Sequence, residues 1–383
     1  MSTHGTTHGD APFCLEVDGV KCVPTFRQGW IPPEAKEMQA QLESVGLNAA
    51  VPDGHKIKET RLIRTSQSVV FAAFGERDWI RDGDFSAIAK FSNLAEDRER
   101  EFGTPEQHYA KLVWVAGQIA TQGEVPVAKV LATGSAEVDG KSRPWILEEK
   151  LTGAEAPAGL DRGMQQSLWK ETGRVAGSIF KIEPQGYGTI FDPATGRFVQ
   201  TWDEALDARV EKASLDRLVE LGGLTEEQRA DILGIVEDRL RTMDERYPRA
   251  LNHGDLGPIN NLFFSGIDSE QPVVTGVLDF DDAASLPGSA WTIAWSRWHQ
   301  IAFERNLELD SYLEGMGIAK DEYEGQSLQK DADAALVLGL CWWKKMCMES
   351  VNRGGDWPAP NVAEKALARL DQHLPQLIDR LKA

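Results

Sequence analysis

The sequence predicts an α+β protein in which a strand-rich region is followed by a larger helical one. Residues 56 to about 150 alternate short apolar runs with turns, which is typical of strands. After Gly153 the apolar residues recur every three or four positions, as in Gln165–Phe180, which indicates helices packed on a core. We therefore expect a tail with a short helical extension over 1–55, a small lobe over 56–150 and a helical lobe over 151–383.

Composition and charge narrow the class of protein. The 383 residues carry a formal net charge of -19, so we expect no nucleic-acid partner, because like charges repel. This charge would suit a cationic small molecule, although acidity that serves solubility explains it as well. No apolar run approaches the ~18 residues of a membrane span, and the polar N-terminus lacks a signal-like apolar stretch. Four cysteines without a zinc-binding spacing favour reduced thiols. We predict a soluble, cytoplasmic protein, monomeric or homodimeric.

The strand-rich region opens with a predicted hairpin. Its strands are Arg61–Arg64 and Val69–Phe74, and the connection between them carries Ser66 and Ser68. The next apolar run has Lys90 near its centre. A lysine within an apolar strand is costly unless it has a partner. Lys90 therefore either binds an anion or lies on an edge strand and faces water.

A helix is predicted after this strand. Thr104 can cap it, Pro105 suits its first turn and Gln107 completes a capping box, so the helix should run to about Ala120. The segment Val125–Leu131 then has the character of a further strand.

The segment most suggestive of chemistry carries Asp255 and Asn260, with four residues between them and apolar residues on either side. Further along, the apolar run Val273–Leu278 leads directly into Asp279. Phosphoryl transfer needs an acidic residue at the attacking hydroxyl, and an amide oxygen and a carboxylate for metal ions. Asp255 belongs to the triplet His253-Gly254-Asp255. The same triplet occurs as His8-Gly9-Asp10, where no asparagine stands five residues after the aspartate, so the triplet alone does not indicate a phosphoryl-transfer site.

His253-Gly254-Asp255 with Asn260, followed by Val277-Leu278-Asp279-Phe280, resembles the motifs of the aminoglycoside phosphotransferase and choline kinase family. The resemblance implies a bilobal, protein-kinase-like α+β fold. Its small N-lobe has an antiparallel sheet and one helix, and its larger C-lobe is mainly helical. The resemblance also implies transfer of the γ-phosphate of ATP or GTP, with Mg²⁺, to a hydroxyl of a small molecule. The expected acceptor is an aminoglycoside-like antibiotic or an amino-alcohol, and a sugar or another metabolite is the alternative.

The resemblance assigns roles to several residues of the small lobe. Lys90 would hold the α and β phosphates and pair with an acid in the first turns of the next helix. Glu106 is the expected partner, and Glu101 is the alternative. The connection with Ser66 and Ser68 would cover the triphosphate.

The remaining roles lie at the linker and in the larger lobe. Glu149 and Leu151 would contact the adenine through their backbone groups. Asp255 would orient the acceptor hydroxyl and take its proton, while Asn260 and Asp279 would hold Mg²⁺.

Two departures from the family pattern leave alternatives open. The first hairpin has no glycine in its loop, and Ser285–Trp291 stands where the family usually has Gly-Asp-Pro and a bracing aspartate. A nucleotide-binding pseudokinase or scaffold is therefore the alternative function. We expect Asp281 to be a surface acid near the acceptor, or else a secondary metal ligand. Five tryptophans should be core residues, or else an aromatic wall for the acceptor: Trp291, Trp295, Trp298, Trp342 and Trp343.

Overall fold

In the computed structural model, the sheet of the small lobe and nearly all of the helical lobe are described. The described residues are 15–17, 20–22, 59–65, 68–74, 87–92, 99–138, 140–157, 160–258, 261–267, 271–303, 306–324, 327–353, 358 and 360–382. The short helix expected in the N-terminal extension lies outside them. A two-stranded hairpin, β1 (Leu15–Val17) with β2 (Val20–Cys22), is described there instead.

The strand-rich region forms one five-stranded sheet in which every neighbouring pair is antiparallel. Its strands are β3 (Glu59–Thr65), β4 (Ser68–Phe74), β5 (Ala87–Ser92), β6 (Val130–Val138) and β7 (Lys141–Glu149). The spatial order is β3-β4-β5-β7-β6, so β5 is central. The predicted hairpin and the predicted lysine strand are both confirmed. The edge-strand alternative for Lys90 is wrong.

Two helices follow β5, namely α1 (Glu99–Phe102) and α2 (Pro105–Gln122). The capping box of α2 forms as predicted. The hydroxyl of Thr104 accepts a hydrogen bond from the N–H of Gln107 at 3.3 Å, and the Gln107 side chain accepts one from the N–H of Thr104 at 2.9 Å. These contacts satisfy backbone donors that a helix start leaves open.

The strand predicted over Val125–Leu131 is wrong in its first part, because β6 begins only at Val130. Pro126 has no N–H to give to the sheet. Its carbonyl instead accepts a hydrogen bond from the N–H of Val277 at 3.0 Å, and Val127 forms a parallel bridge with the same residue. The segment therefore ties the sheet to the strand that leads into Asp279.

The larger lobe is mainly helical. Its helices are α3 (Arg162–Phe180), α4 (Trp202–Ala213), α5 (Leu215–Glu220), α6 (Glu226–Ile235), α7 (Met243–Arg246), α8 (Ala290–Phe303), α9 (Leu309–Met316), α10 (Lys320–Glu324), α11 (Ser327–Arg353) and α12 (Pro360–Lys382). A single π-helical turn, Val236–Leu240, follows α6. The limits of 56–150 and 151–383 for the two lobes stay a prediction.

Short strands in this lobe carry the predicted motifs. They are β8 (Tyr187–Asp192), β9 (Arg197–Gln200), β10 (Arg249–Asn252), β11 (Leu262–Ser265), β12 (Val273–Val277) and β13 (Ala284–Pro287). They form a four-stranded sheet in the order β10-β13-β8-β9 and a hairpin of β11 with β12. The Asp255 segment thus connects β10 to β11, and Asp279 follows β12.

The core of the larger lobe is rich in aromatic residues. Trp291, Trp298 and Trp343 are buried in it, which confirms core packing for these three. Cys341 and Cys347 are buried and free, as expected for reduced thiols. Within the described parts of the chain, every helix is too short or too polar to traverse a lipid bilayer.

Candidate active site

The turn after β10 depends on a glycine. Gly254 has φ +87°, and a Cβ at this position would lie 2.2 Å from the backbone oxygen of Asp282. Only glycine tolerates both the left-handed backbone and so close an approach. The absence of a side chain here brings the Asp255 loop against the segment that follows Asp279.

His253 organises the loop by hydrogen bonds. Its Nε2 lies 2.8 Å from the carbonyl oxygen of Leu278, and its Nδ1 lies 3.3 Å from the backbone N–H of Asp255. Burial lowers the pKa of His253, which favours the neutral ring. A neutral ring that donates from Nε2 and accepts at Nδ1 satisfies both contacts.

The carboxylate of Asp255 is held by three side chains. Its Oδ1 accepts hydrogen bonds from Trp295 Nε1 at 3.1 Å and from His299 Nε2 at 2.9 Å. Its Oδ2 accepts one from Asn261 Nδ2 at 3.1 Å. Burial alone would raise the pKa of Asp255, but the contact with His299 and the bond from Trp295 hold it well below its usual range. Asp255 is therefore an ionised, rigidly oriented group.

Two carboxylates follow β12. Asp279 adopts a left-handed backbone conformation with φ 60°, which is uncommon for a residue other than glycine. Asp281 is buried, and its Oδ1 lies 3.4 Å from His108 Nε2 on α2. Burial would raise the pKa of Asp281, but His108 and Lys90 lower it overall. The expectation of a surface acid near the acceptor is therefore wrong for Asp281, because α2 and β5 enclose it.

Lys90 pairs with a carboxylate of the sheet rather than of the helix. Its Nζ lies 2.8 Å from Glu148 on β7. Lys90 stands opposite Ile146 in the β5–β7 register, so Glu148, two residues further along, is on the same face. Burial lowers the pKa of Lys90, but Glu148 raises it overall, with smaller contributions from Asp279 and Asp281.

The two glutamates predicted to pair with Lys90 do not form the ion pair that Glu148 makes with it. Glu106 is exposed in the first turn of α2, and Glu101 forms an ion pair with Lys212. The assignment of Glu106 is corrected to Glu148. The physical reason lies in α2, which presents two basic side chains, His108 and Lys111, towards Asp281.

Lys111 is a fully buried cation that the sequence analysis did not select. Its Nζ donates a hydrogen bond to the backbone oxygen of Asp281 at 2.7 Å and lies 5.2 Å from the centre of the Phe102 ring. Burial lowers the pKa of Lys111 to about 8, although the negative charges of Asp282 and Asp281 act to raise it. The residue thereby fixes the backbone beside the two carboxylates.

The predicted nucleotide contacts are only partly described. Ser66 and Asn260 lie outside the described residues, and for Ser68 only its backbone pairing with Ser92 is described. The N–H of Glu149 already donates to the carbonyl of Lys129 at 2.9 Å. In the described part of the chain, the N–H and carbonyl of Leu151 make no hydrogen bond, and its contact with adenine stays a prediction.

A cavity lies next to Trp295, the residue that donates a hydrogen bond to Asp255. We name it the tryptophan cavity; it encloses about 70 Å³ and is lined by Arg209, Lys212, Trp291, Ala294, Trp295, Trp298, Ala335, Leu336, Leu338, Gly339 and Trp342. Trp295 reaches from this cavity to Asp255. Arg209 and Lys212 also line a second, wider cavity of about 350 Å³. Trp295 and Trp342 are only half-buried, so for these two the aromatic-wall alternative fits their position.

Several site residues escaped the sequence analysis for identifiable reasons. His299 lies four residues after Trp295, on the same face of a helix that was predicted to pack in the core. This spacing was the only sign in the sequence that His299 would contact Asp255 together with Trp295. Lys111 lies three residues after His108 on the buried face of α2. A lysine at a position that the helical pattern predicts to be buried is the feature of the sequence that could have indicated a site residue. Asn261 stands directly after the predicted Asn260.

The comparisons with known proteins agree with this geometry. The family model described as APH, phosphotransferase enzyme family, matches residues 79–304. This chain therefore belongs to that phosphotransferase family. No curated protein matches the chain.

Solved structures extend the likeness to nearly the whole chain. A thermostable mutant of aminoglycoside phosphotransferase APH(4)-Ia, in ternary complex with AMP-PNP and hygromycin B, has a TM-score of 0.56 and 14% identity, covering 91% of this chain and 99% of that chain. APH(2")-IIIa in complex with GDP and kanamycin has a TM-score of 0.53 and 14% identity, covering 86% and 97%. At such identities the likeness shows the fold alone, which is the predicted bilobal, protein-kinase-like α+β fold.

Proposed function

We propose that this protein transfers the γ-phosphate of ATP or GTP to a hydroxyl group of a small molecule, with Mg²⁺ bound. One observation supports this most strongly: the Asp255 loop and the Asp279 segment are joined. His253 contacts the carbonyl of Leu278, and the carbonyl of Asn261 accepts a hydrogen bond from the N–H of Leu278 at 2.9 Å. The acid for the acceptor and the acid for the metal are therefore held in one unit.

In this proposal Asp255 positions the acceptor and removes its proton. Two donors occupy Oδ1, and Oδ2 accepts a hydrogen bond from Asn261, so we assign Oδ2 to the acceptor hydroxyl. The hydroxyl oxygen forms the new bond to the γ-phosphorus as the bond to the β-phosphate oxygen breaks, and Oδ2 receives the proton. A lowered pKa makes Asp255 a weak base, which is sufficient because the transition state is loose.

The residues present fit a magnesium ion. Mg²⁺ prefers oxygen ligands and commonly takes one or two carboxylates together with substrate phosphates. Asp279 would hold it with Asn260, and the ionised Asp281, two residues after Asp279, adds negative charge. When bound, the ion would neutralise charge on the β and γ phosphates. Lys90, held by Glu148, would bind the α and β phosphates.

The nature of both substrates belongs to the proposal. The neighbours were solved with GDP and with AMP-PNP, and both nucleotides are in keeping with a triphosphate donor. They also bind kanamycin and hygromycin B, which are the acceptor class that the sequence predicts from its resemblance. The two cations at the tryptophan cavity, Arg209 and Lys212, support a different acceptor. We further propose that the protein acts in the cytoplasm, which suits its free cysteines.

The decisive experiment measures nucleoside diphosphate release and phosphorylated product, by mass spectrometry, with ATP or GTP and a panel of amines, sugars and aromatic alcohols. Asp255→Ala should lower turnover by at least about a hundredfold, since general base catalysis contributes that much, and should still bind nucleotide. Asp279→Ala should lose activity and its dependence on magnesium together. Asp379→Ala, on the exposed side of α12, is the control.

The alternative, a nucleotide-binding pseudokinase, predicts a different result. Such a protein would bind ATP without consuming it with any acceptor, and Asp255→Ala would behave as wild type. Undiminished transfer in Asp255→Ala would show that Asp255 has no catalytic role.

A further inference from the structure

We infer that the acceptor is an alcohol that carries an apolar, preferably aromatic, ring and an anionic group, and that Arg209 binds this anionic group. The inference rests on the proposed phosphotransferase function and assigns a substrate class to it. It departs from the cationic acceptor suggested by the net charge of the chain.

Among the residues that the structure describes, Arg209 has no anionic partner. In the part of the chain that the structure describes, its guanidinium makes no hydrogen bond or ion pair; it lies over the Trp291 ring, 4.6 Å from the ring centre. Burial lowers the pKa of Arg209 to about 10, which still leaves it charged at neutral pH. An enclosed charge without a partner is costly, so an anion that binds there is stabilised more than one bound at the surface.

The acidic groups near Arg209 do not provide that partner. Glu101 pairs with Lys212. Asp282 makes no hydrogen bond to a described residue, and burial raises its pKa. Arg209 and Lys212 both line the tryptophan cavity and the wider cavity beside it, so a bound molecule can reach Arg209 from either.

A cationic acceptor would meet unfavourable surroundings here. Aromatic faces attract cations, but two of these faces are already taken by the protein's own cations. Arg209 lies over Trp291, and Lys212 lies over Trp342 at 4.8 Å from the ring centre. An ammonium group in the tryptophan cavity would therefore face the like charges of Arg209 and Lys212.

An aromatic ring suits the half-buried tryptophan faces of this cavity rather than its interior, because about 70 Å³ is less than the ~150 Å³ of a cavity that binds benzene. The rings of Trp295 and Trp298 are stacked at 4.5 Å with 12° between their planes, and Trp342 lies 6.4 Å from Trp295. Trp295 and Trp342 are half-buried, so they offer apolar surface to a planar ligand. Trp295 also donates to Asp255, so a ring packed against it brings its hydroxyl close to the catalytic carboxylate.

The test uses three probes of similar shape: para-hydroxymethyl benzoate, benzyl alcohol and para-aminomethyl benzyl alcohol, with kanamycin as a polycationic reference. Binding is measured by calorimetry in the presence of magnesium and AMP-PNP, and transfer from ATP is measured by mass spectrometry. Each probe is tested on the wild-type chain, on Arg209→Gln and on Arg197→Gln, an exposed arginine of β9 that serves as the matched control. Affinity for AMP-PNP alone is measured for all three chains.

The benzoate probe should bind about tenfold or more tightly than the amine, because hydrogen bonds to charged groups contribute at this level. Arg209→Gln should remove the difference, and Arg197→Gln should retain it. If kanamycin or the amine binds more tightly than the benzoate, or if the benzoate does not bind, the anionic acceptor is wrong. Weaker AMP-PNP binding in Arg209→Gln would also overturn it, because Arg209 would then hold nucleotide phosphate.

The two proposals fail separately. Transfer of phosphate to kanamycin but not to the benzoate would support the phosphotransferase function and refute the anionic acceptor. Selective binding of the benzoate without any phosphate transfer would support the binding role of Arg209 and refute the kinase assignment.

Discussion

The buried ammonium group of Lys111 makes the stability of the protein depend on pH in a defined way. Its pKa falls from 10.5 to about 8 in the folded chain, and burial is the largest cause. A shift of this size corresponds to about 3 kcal/mol. Replacing Lys111 with methionine keeps a long apolar side chain and removes the charge.

The sign follows from proton binding. Below about pH 8 the lysine is charged in both the folded and unfolded states, and the folded state bears the cost of the buried charge. Between about pH 8 and pH 10.5 the folded state has released the proton while the unfolded state retains it. The free energy of unfolding of wild type should therefore rise with pH in this window, relative to Lys111→Met, by about 3 kcal/mol in total.

Urea unfolding of both chains across this pH range measures the difference. The lost hydrogen bond to Asp281 adds a cost of about 1 kcal/mol to the variant at every pH, so the slope with pH is informative and the absolute value is not. Lys365→Met, on the exposed face of α12, is the control and should follow wild type throughout. A difference between wild type and Lys111→Met that stays constant or shrinks as pH rises would refute the assignment of a buried charge.

Two further predictions concern the Asp255 loop. Trp295→Phe keeps the ring but removes one hydrogen bond to Asp255, so phosphate transfer should slow about tenfold while the KM for nucleotide is unchanged; an unaltered kcat in steady-state assays would contradict this. Gly254→Ala should destabilise the chain by more than about 1 kcal/mol, because its Cβ would lie 2.2 Å from the Asp282 oxygen. Gly234→Ala on α6 meets no atom within 4 Å and should stabilise by up to about 1 kcal/mol. Urea unfolding of both glycine variants checks the pair, and equal effects would show that the close approach at Gly254 does not matter.

Local patterns predicted much of the architecture. The capping box at Thr104 and the strand around Lys90 depend on residues within a few positions, and both formed as expected. The Asp255 and Asp279 segments were placed correctly after β10 and β12, because apolar runs that end in acidic residues mark strand ends.

The partners of these residues could not be predicted in the same way. Lys90 could have paired with any acid that the tertiary fold brought near. The choice of Glu148 depends on the β5–β7 register, which one sequence does not reveal. Asp281 was misassigned for a related reason, since its burial depends on how α2 packs over the sheet.

Other side chains hold Asp255 in place of the aspartate that usually braces this loop in the family. Asp255 is braced by Trp295 and His299 from α8 and by Asn261 from its own loop. Two of the three described donors thus lie on a helix 40 and 44 residues further along the chain, so the sequence around Asp255 does not predict them.

The same brace connects catalysis to acceptor choice. In the proposed reaction, the lowered pKa of Asp255 would leave it little base strength, and the rate would depend mainly on how well the acceptor hydroxyl is placed against Oδ2. Trp295 holds Asp255 on one side and lines the tryptophan cavity on the other, so the ligand that packs against Trp295 also sets the position of its own hydroxyl. The relevant charge for this choice is that of Arg209 and Lys212 at the cavity, since screening at physiological salt confines exposed charges to about 8 Å. A net charge of -19 spread over the whole chain therefore says less about the acceptor than these two cations do.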